Sequence, residues 1–530
     1  MVKGFKQIAS FTMLSRILGL IRDICYSKYF GATALGDAWL IAFRIPNLSR
    51  RIFGEGAASA SFIPVYSEML EKDRKTADML ANTTVTIMFT FLSFLVVVGW
   101  AIMWIYRFAA NPTPETVTII SLASVMLPYA AVICTVAILA GILNVHSHFA
   151  APAAAPVVLN IFIIGAIVIT GSLLGLPTTA QVYTAAVCVL IAGIVQTVMQ
   201  LIPLKKKGVK LMPCWQVNSG AFRKVIWLMG PMILGTTATQ INTFADDIIA
   251  WFFSGSEAKG AELVIMGKTM AYPLWRGCVM QLYLAQRLYQ LPLGVIGIAL
   301  ATAIFPVLSR SAARNDNEEF ISTLTKGIKC AFYLAIPCGV GLCLVAKPLI
   351  SVLFEGDKFT ASDITSTSII LYCYAFGLAG FFIQQIITRA FYATNDSKMP
   401  ARTAVIAVIV NVLLNLTLIW FMGAAGLGLA TAICSYIQII ILLAVLKNRY
   451  REQFTQGFAT AITKVIIASV IMFIAGRTLM IAMAALPADL KFNCIRIAAQ
   501  IIICASVYLA LSKIMKIEML EIITNKKAAS

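Results

Sequence analysis

The sequence predicts an all-α integral membrane protein: about 14 transmembrane helices, in two pseudo-symmetric six-helix lobes plus two C-terminal helices around a central cavity. Three observations carry this. The 530 residues are 60% hydrophobic and 12% charged, with mean hydropathy +0.87, and a soluble domain carries about twice that share of charge. Apolar runs close to 20 residues, the length a helix needs to cross a bilayer, recur almost to the C-terminus, which argues against a soluble enzyme with one anchor. Barrel strands alternate apolar and polar residues and would give no such runs. Finally, a short motif occurs twice: Phe62-Ile63-Pro64-Val65-Tyr66-Ser67 ends the second run and Ile304-Phe305-Pro306-Val307-Leu308-Ser309 ends the eighth.

The spans are expected near 8–30, 36–66, 80–106, 117–143, 154–174, 181–203, 224–253, 277–308, 328–346, 366–392, 403–421, 424–446, 460–484 and 494–514. The first carries arginine through its core and has no small-residue cleavage site, so it reads as a span and not as a cleaved leader. The second and eighth exceed what a bilayer needs and should tilt or kink. The doubled motif and span count divide the chain into an N-terminal lobe (1–203), a basic linker (204–223), a second lobe (224–446) and a terminal part (447–530) with two more helices and a basic tail. Internal repeats with a binding site between the halves are a common transporter plan. The external segment 254–276, with Glu257, Lys259, Glu262 and Lys268, fits an amphipathic hairpin or a short surface helix.

A formal charge of +19 invites a nucleic-acid reading, but the distribution argues against it. With the N-terminus cytoplasmic, about 25 of the 42 Lys and Arg fall in cytoplasmic segments and about 10 in external ones. The cytoplasmic clusters include Lys72/Arg74/Lys75, Lys205/Lys206/Lys207/Lys210, Arg310/Arg314 and Lys447/Arg449/Arg451. This is the positive-inside asymmetry, and an even span count puts both termini in the cytoplasm. Anionic lipid headgroups are partner enough for such clusters, so no nucleic acid is expected. The 12 cysteines are scattered without a CxxC, and His146 and His148 stand at a turn without nearby ligands. Neither a metal nor another cofactor is expected.

Six arginines lie inside otherwise apolar runs: Arg16, Arg22, Arg44, Arg50, Arg51 and Arg287. A charge at mid-bilayer costs roughly 2.5–3.5 kcal/mol even on a forgiving scale, so these side chains must face a polar cavity or find partners. In the second span Asp37, Arg44, Arg51 and Glu55 are spaced 7, 7 and 4, one slowly drifting stripe of a helix, with Arg50 to the side. In the first, Arg16, Gly19 and Asp23 share a face, with Arg22 beside it. Six arginines against Asp23, Asp37 and Glu55 leave surplus guanidinium, suited to phosphate or pyrophosphate through forked hydrogen bonds. For any single arginine a buried ion pair fixing helix packing is the competing explanation.

Pro46, Gly54 and Gly56 punctuate the second span, and Pro292, Gly294 and Gly297 the eighth; they read as hinges of helices that bend in transport, or as ordinary kinks and close packing. Asp246 and Asp247 are the other costly acids. Asp246 with Asp396 and Asn411 makes a candidate cation site, and an ion pair or a boundary position explains the same acids.

The run Ser15-Arg16-Ile17-Leu18-Gly19-Leu20-Ile21-Arg22-Asp23 resembles the opening of the MurJ/MviN family of lipid II flippases, within the multidrug/oligosaccharidyl-lipid/polysaccharide exporter superfamily. Gly36-Asp37-Ala38, Phe43-Arg44-Ile45-Pro46-Asn47-Leu48 and Arg50-Arg51-Ile52-Phe53-Gly54-Glu55-Gly56-Ala57 are similar to that family too. So are Asn144 with Phe149, Pro152 and Pro156, then Gln286-Arg287-Leu288-Tyr289-Gln290-Leu291-Pro292-Leu293-Gly294-Val295, and Phe391-Tyr392-Ala393 with Asp396 and Pro400. The similarity runs from about residue 5 to about 450 in order, and is looser beyond.

The resemblance implies two six-helix lobes that alternate between inward- and outward-open states in a bacterial inner membrane. It implies that Arg16, Arg22, Arg287 and the Arg50/Arg51 position line the cavity and are needed for function, with Asp37 and Glu55 as acidic neighbours. The implied cargo is lipid II, an undecaprenyl-pyrophosphate-linked disaccharide-pentapeptide, with cell-wall synthesis proteins as candidate partners. Another polyprenyl-linked glycan or small solute, or a non-transporting scaffold role, are the alternatives. An ATP-hydrolysing mechanism is not expected, since Gly54-Glu55-Gly56 lacks a following GK[ST]; membrane potential or a monovalent cation is the candidate energy source. Two departures stand out: Gln286 replaces an acid found before the span-eight arginine in some members, and 254–276 is longer than the usual connection.

Overall fold

A computed structural model describes residues 2–265, 267–450, 458–483 and 490–524; within these the side chains of 2–6, 55–60, 231, 232, 234–236, 238, 239, 265, 490, 523 and 524 are not described. Almost all of it is helix, and each of the expected apolar segments falls on a helical run. Ten helices among the described residues are long and apolar enough to cross a membrane, or 11 with the pair Ala361–Phe376 and Leu378–Ala393, bent by 41°, taken as one span. Three further runs, Val2–Cys25, Ala34–Lys72 and Gly220–Phe252, hold the intramembrane charges other than Arg287, so length and apolarity do not establish the expected count of 14.

The chain forms two compact units, Met1–Met280 and Gln281–Ser530. The first contains α1 (Val2–Cys25), α2 (Ala34–Ser49), α3 (Ser59–Lys72), α4 (Arg74–Ala109), α5 (Pro114–Met126), α6 (Pro128–Val145), α7 (Ala150–Val168), α8 (Thr178–Lys206) and α9 (Gly220–Phe252). Thus α9 is packed within the first unit, against α3 and the segment before it, although it follows the 204–223 linker. Local chemistry explains the starts: the Thr33 hydroxyl accepts from Gly36 N at the head of α2, and the Asp73 carboxylate accepts from Lys75 N and Thr76 N at the head of α4. A cluster of the buried rings of Tyr26, Phe30 and Trp39 with the half-buried Phe43 joins the end of α1 to α2.

Among the described residues four stretches widen into π-helix: Tyr26–Phe30, Arg50–Ala58, Ile169–Leu173 and Leu293–Gly297. Two of them occupy equivalent places in the sequence repeat, Arg50–Ala58 shortly before Pro64 and Leu293–Gly297 shortly before Pro306. Pro46 and Pro292, which lack a backbone donor, sit just upstream of each.

The 254–276 segment is a β-structure and not a helix. Ser254–Gly255 pairs in parallel with Leu274–Trp275, and Glu262–Ile265 with Lys268–Ala271 as an antiparallel hairpin. Its base is fixed by the buried Arg276, which ion-pairs with Glu115 at 2.9 Å, stacks 3.4 Å over the Trp251 ring and donates to Trp251 O. Next to it Gly277 has φ +99°, and a Cβ there would lie 2.2 Å from the Ala32 carbonyl oxygen. Gly277→Ala combines a left-handed backbone with a clash against main chain. It is expected to cost at least about 1–3 kcal/mol, read as a lowered melting temperature of the detergent-solubilised protein.

The second unit is built on α12 (Asn317–Phe354), against which α11 (Ile298–Ala313), α13 (Ala361–Phe376), α14 (Leu378–Ala393), α17 (Phe458–Ala482) and α18 (Leu490–Ile514) pack. Its first helix, α10 (Cys278–Pro292), carries the chain over from the first unit; α15 (Lys398–Met422) and α16 (Ala424–Tyr450) form a pair beside α13 and α14. The two terminal spans join α12 through Tyr333, Leu344, Ala468, Met472 and Tyr508, whose hydroxyl donates to Tyr333 O at 2.7 Å.

In the loop before α15, Arg449 donates to Asp396 at 2.6 Å, which holds that carboxyl below its ordinary range. A carboxyl depressed on folding contributes stability above its unfolded pKa, about 3.9, and loses that contribution as pH falls through the lower folded value. Acidification below about pH 4 should therefore lower the melting temperature more in wild type than in Asp396→Asn.

Candidate functional site

The charged and polar chemistry of the first run becomes a network between α1 and α7. Arg22 donates to Asp23 at 2.9 Å and to Asn160 Oδ1 at 3.0 Å, and its guanidinium lies 5.4 Å from the Tyr26 ring centre. Asn160 in turn donates to Ser15 O at 3.1 Å. Asp23 and Asn160 are buried, so the charge of Arg22 is positioned on both sides by fixed partners. Asn160 was invisible to pattern reasoning, because one polar residue on an apolar helix lies 138 positions from its partner.

Arg16 lies on the same helix and is exposed. It lines a groove of about 330 Å³ between α1 and the α6–α7 connection, with Thr12, Asn144, Phe149, Pro152 and Pro156. The structure thus brings Arg16 together with the residues around 144–156 that carried part of the sequence resemblance. An accessible guanidinium over aromatic and proline surface suits an anion attached to something apolar.

The stripe on α2 separates into different jobs. Arg44 reaches Asp247 of α9 at 2.6 Å, an ion pair whose acid is 1% exposed. Asp37 is held by backbone: its buried carboxylate accepts from Gly277 N at 2.6 Å and Met280 N at 2.9 Å, capping the first turn of α10. Arg50 donates to Asn47 Oδ1 at 3.0 Å, and Arg51 to Gln240 Oε1 of α9 at 2.9 Å. Both arginines ride on the π-helical stretch, where Gly54 is buried against Ala137 and the Ser49 carbonyl takes a bond from the Cys134 thiol. Glu55 and Gly56 lie on that stretch, but their side-chain surroundings are outside the described residues. Pro46 is buried inside α2.

In the second unit Arg287 donates to Tyr283 OH at 3.0 Å and stacks 4.7 Å over its ring, on the face of α10 that leads to Pro292 and Gly294. Gln286 donates to Tyr374 OH at 3.0 Å, a neutral bond where some relatives of the motif would place an acid. Two of the candidate cation residues, Asp396 and Asn411, lie apart within the second unit. Asp396 is bound to Arg449 in a loop, whereas Asn411 is buried mid-helix, accepting from Asn415 and donating to Thr431. Thirteen positions of α15, about 20 Å at the helical rise, separate the two. Among the described residues no group of three His, Cys, Asp or Glu could hold a metal.

Comparison with known proteins agrees with this architecture. Residues 26–492 match the family model described as "Lipid II flippase MurJ". A Vibrio cholerae protein named "Probable lipid II flippase MurJ" is 32% identical over 450 residues, 82% of this chain and 81% of its own length. A Burkholderia cenocepacia protein named "Lipid II flippase MurJ" is 29% identical, covering 88% of this chain and 87% of its own. A solved structure entitled "Lipid II flippase MurJ, inward closed conformation" superposes with TM-score 0.76 at 26% identity, covering 97% of this chain and 99% of that one. An inward-facing MATE multidrug transporter shares the fold at TM-score 0.66 and 16% identity, over 84% of this chain and 98% of its own.

Proposed function

The chain belongs to the MurJ family of lipid II flippases, and from that premise we propose how its own residues handle the cargo. The protein carries lipid II from the cytoplasmic to the outer leaflet of the bacterial inner membrane by alternating access, with its lysine-rich helix ends and both termini in the cytoplasm. It performs no bond chemistry on the cargo.

The observation that carries the reading is the exposed Arg16 in its groove beside the Arg22–Asp23–Asn160 network. A pyrophosphate can add forked hydrogen bonds to Arg16 without breaking an ion pair, and Arg22, fixed by neighbours, offers a second positive centre on the same helix. Arg50, Arg51 and Arg287, which donate to Asn47, Gln240 and Tyr283, are the further candidates for the phosphates. Bound anion offsets guanidinium charge that opposes closure of an apolar interior, so closure is favoured when cargo is present. The π-helical stretches at Arg50–Ala58 and Leu293–Gly297 supply places where a spanning helix bends without losing its ends. Membrane potential or a monovalent cation gradient drives the cycle, and a flipping rate indifferent to collapse of either would remove that part.

Binding of undecaprenyl pyrophosphate and of lipid II to purified protein tests the anion role. Arg16→Ala should weaken both by about 10–100-fold, the worth of a charge-assisted hydrogen bond. Equal affinity in wild type and variant would assign the groove to something other than the pyrophosphate. Tight binding of undecaprenyl pyrophosphate, with no gain from the sugar and peptide, would favour a broader polyprenyl-linked cargo.

A further inference from the structure

A second cleft lies in the first unit between α3, α4 and α9, about 250 Å³ in volume and away from Arg16. Phe62, Thr84, Met88, Phe91, Phe222 and Ile226 line it. The one polar side chain among these, Thr84, already donates to Leu80 O at 2.8 Å, so its proton is spent within the helix. Phe91 and Ile226 are about half exposed, leaving the cleft open to the surrounding lipid. Interiors of folded proteins are close-packed, and an apolar space of this size open to a bilayer is filled by hydrocarbon.

Charge identifies which lipid. At the lysine-rich end of the cleft, Glu68 at the end of α3 bridges Lys72 at 2.7 Å and Lys224 of α9 at 2.8 Å, and the two ammonium groups pull its carboxyl down to about 2. Lys72, Lys224 and the exposed Arg223 against Glu68 and the exposed Glu71 still leave a positive surplus. Asp73, the nearest acid in sequence after Glu71, is engaged with the first turn of α4. The basic linker is laid along the same helix: Asn82 donates to Lys210 O and accepts from Met212 N, and Thr86 accepts from Cys214 N. Met212 and Trp215 of that linker are exposed, which suits a segment lying at the membrane–water boundary.

We infer that this cleft holds one acyl chain of an anionic phospholipid from the cytoplasmic leaflet, with its phosphate on Lys72 and Lys224. Glu68 competes with the phosphate for the same two ammonium groups, so the lipid joins α3 to α9 more firmly than the carboxylate alone does. The lipid is a resident of the site and not the transported cargo.

Native mass spectrometry of the full-length protein, titrated with phosphatidylglycerol and with phosphatidylcholine of the same chains, tests this. One phosphatidylglycerol should bind in preference to phosphatidylcholine. Lys224→Gln should weaken it about fivefold and Glu68→Gln should strengthen it by a similar factor, the worth of one charge near a membrane surface. Ile226→Trp, which fills the open side, should abolish the preference with an unchanged elution profile. Equal binding of the two phospholipids, or the same phosphatidylglycerol affinity in Lys224→Gln and Glu68→Gln, would overturn the inference. Displacement by an equal concentration of undecaprenyl phosphate would also overturn it, by giving the cleft to the polyprenyl chain.

Discussion

Arg44→Ala is expected to destabilise the protein by about 3–5 kcal/mol, because it leaves the Asp247 carboxylate buried without its counter-charge. The ion pair is 2.6 Å long, and the two side chains are 19% and 1% exposed, so little solvent screens it. The measurement is thermal unfolding of detergent-solubilised protein, comparing Arg44→Ala with Arg44→Ala/Asp247→Asn. Removing the orphaned charge should recover most of the loss in the double variant. Equal melting temperatures for the single and double variants would mean that Asp247 does not depend on Arg44. The effect separates two roles that the α2 stripe combines: Arg44 joins α2 to α9, whereas its neighbours along the stripe remain candidates for cargo.

Asp37→Ala should have a comparable effect by a different route. Its carboxylate satisfies the backbone N–H groups of Gly277 and Met280, and both would be left buried without an acceptor. At about 1–3 kcal/mol for each orphaned group, the expected loss is about 2–6 kcal/mol. Asp37→Asn retains one acceptor oxygen and should fall between wild type and alanine in melting temperature. If transport were lost in Asp37→Asn with an unchanged melting temperature, Asp37 would act on cargo and not as the anchor of α10.

These two residues show what the sequence could and could not convey. The helices were legible because apolar runs of spanning length have no other stable form in a bilayer. The expensive arginines were legible for the same energetic reason. Partnership was not. Arg44 and Asp247 are brought together by α9 packing in the first unit, and a helical stripe on α2 gives no sign of a partner two hundred positions away. The same stripe suggested that Asp37 offsets arginine charge, whereas its carboxylate faces peptide N–H groups that carry no sequence signal at all. Spacing placed Asp396 beside Asn411 only as a list of polar residues; the helix between them keeps them apart. The 254–276 segment was undecided because its strands are four residues or fewer, too short for a period to emerge, and its anchor is the pairing of Arg276 with Glu115 across 161 positions. The prolines and glycines of these two helices were legible as punctuation, and the widening of the helix beside them into π geometry came from the fold.

The central claim is that arginines of this chain carry a pyrophosphate lipid across the membrane. Translocation of lipid II by purified protein in liposomes, with wild type beside Arg16→Ala, Arg22→Ala and Arg287→Ala, tests it most directly. The account predicts flipping by wild type, and a loss of at least about tenfold in each variant that keeps its wild-type melting temperature. Folded variants that expose lipid II to the outer leaflet as fast as wild type would contradict it.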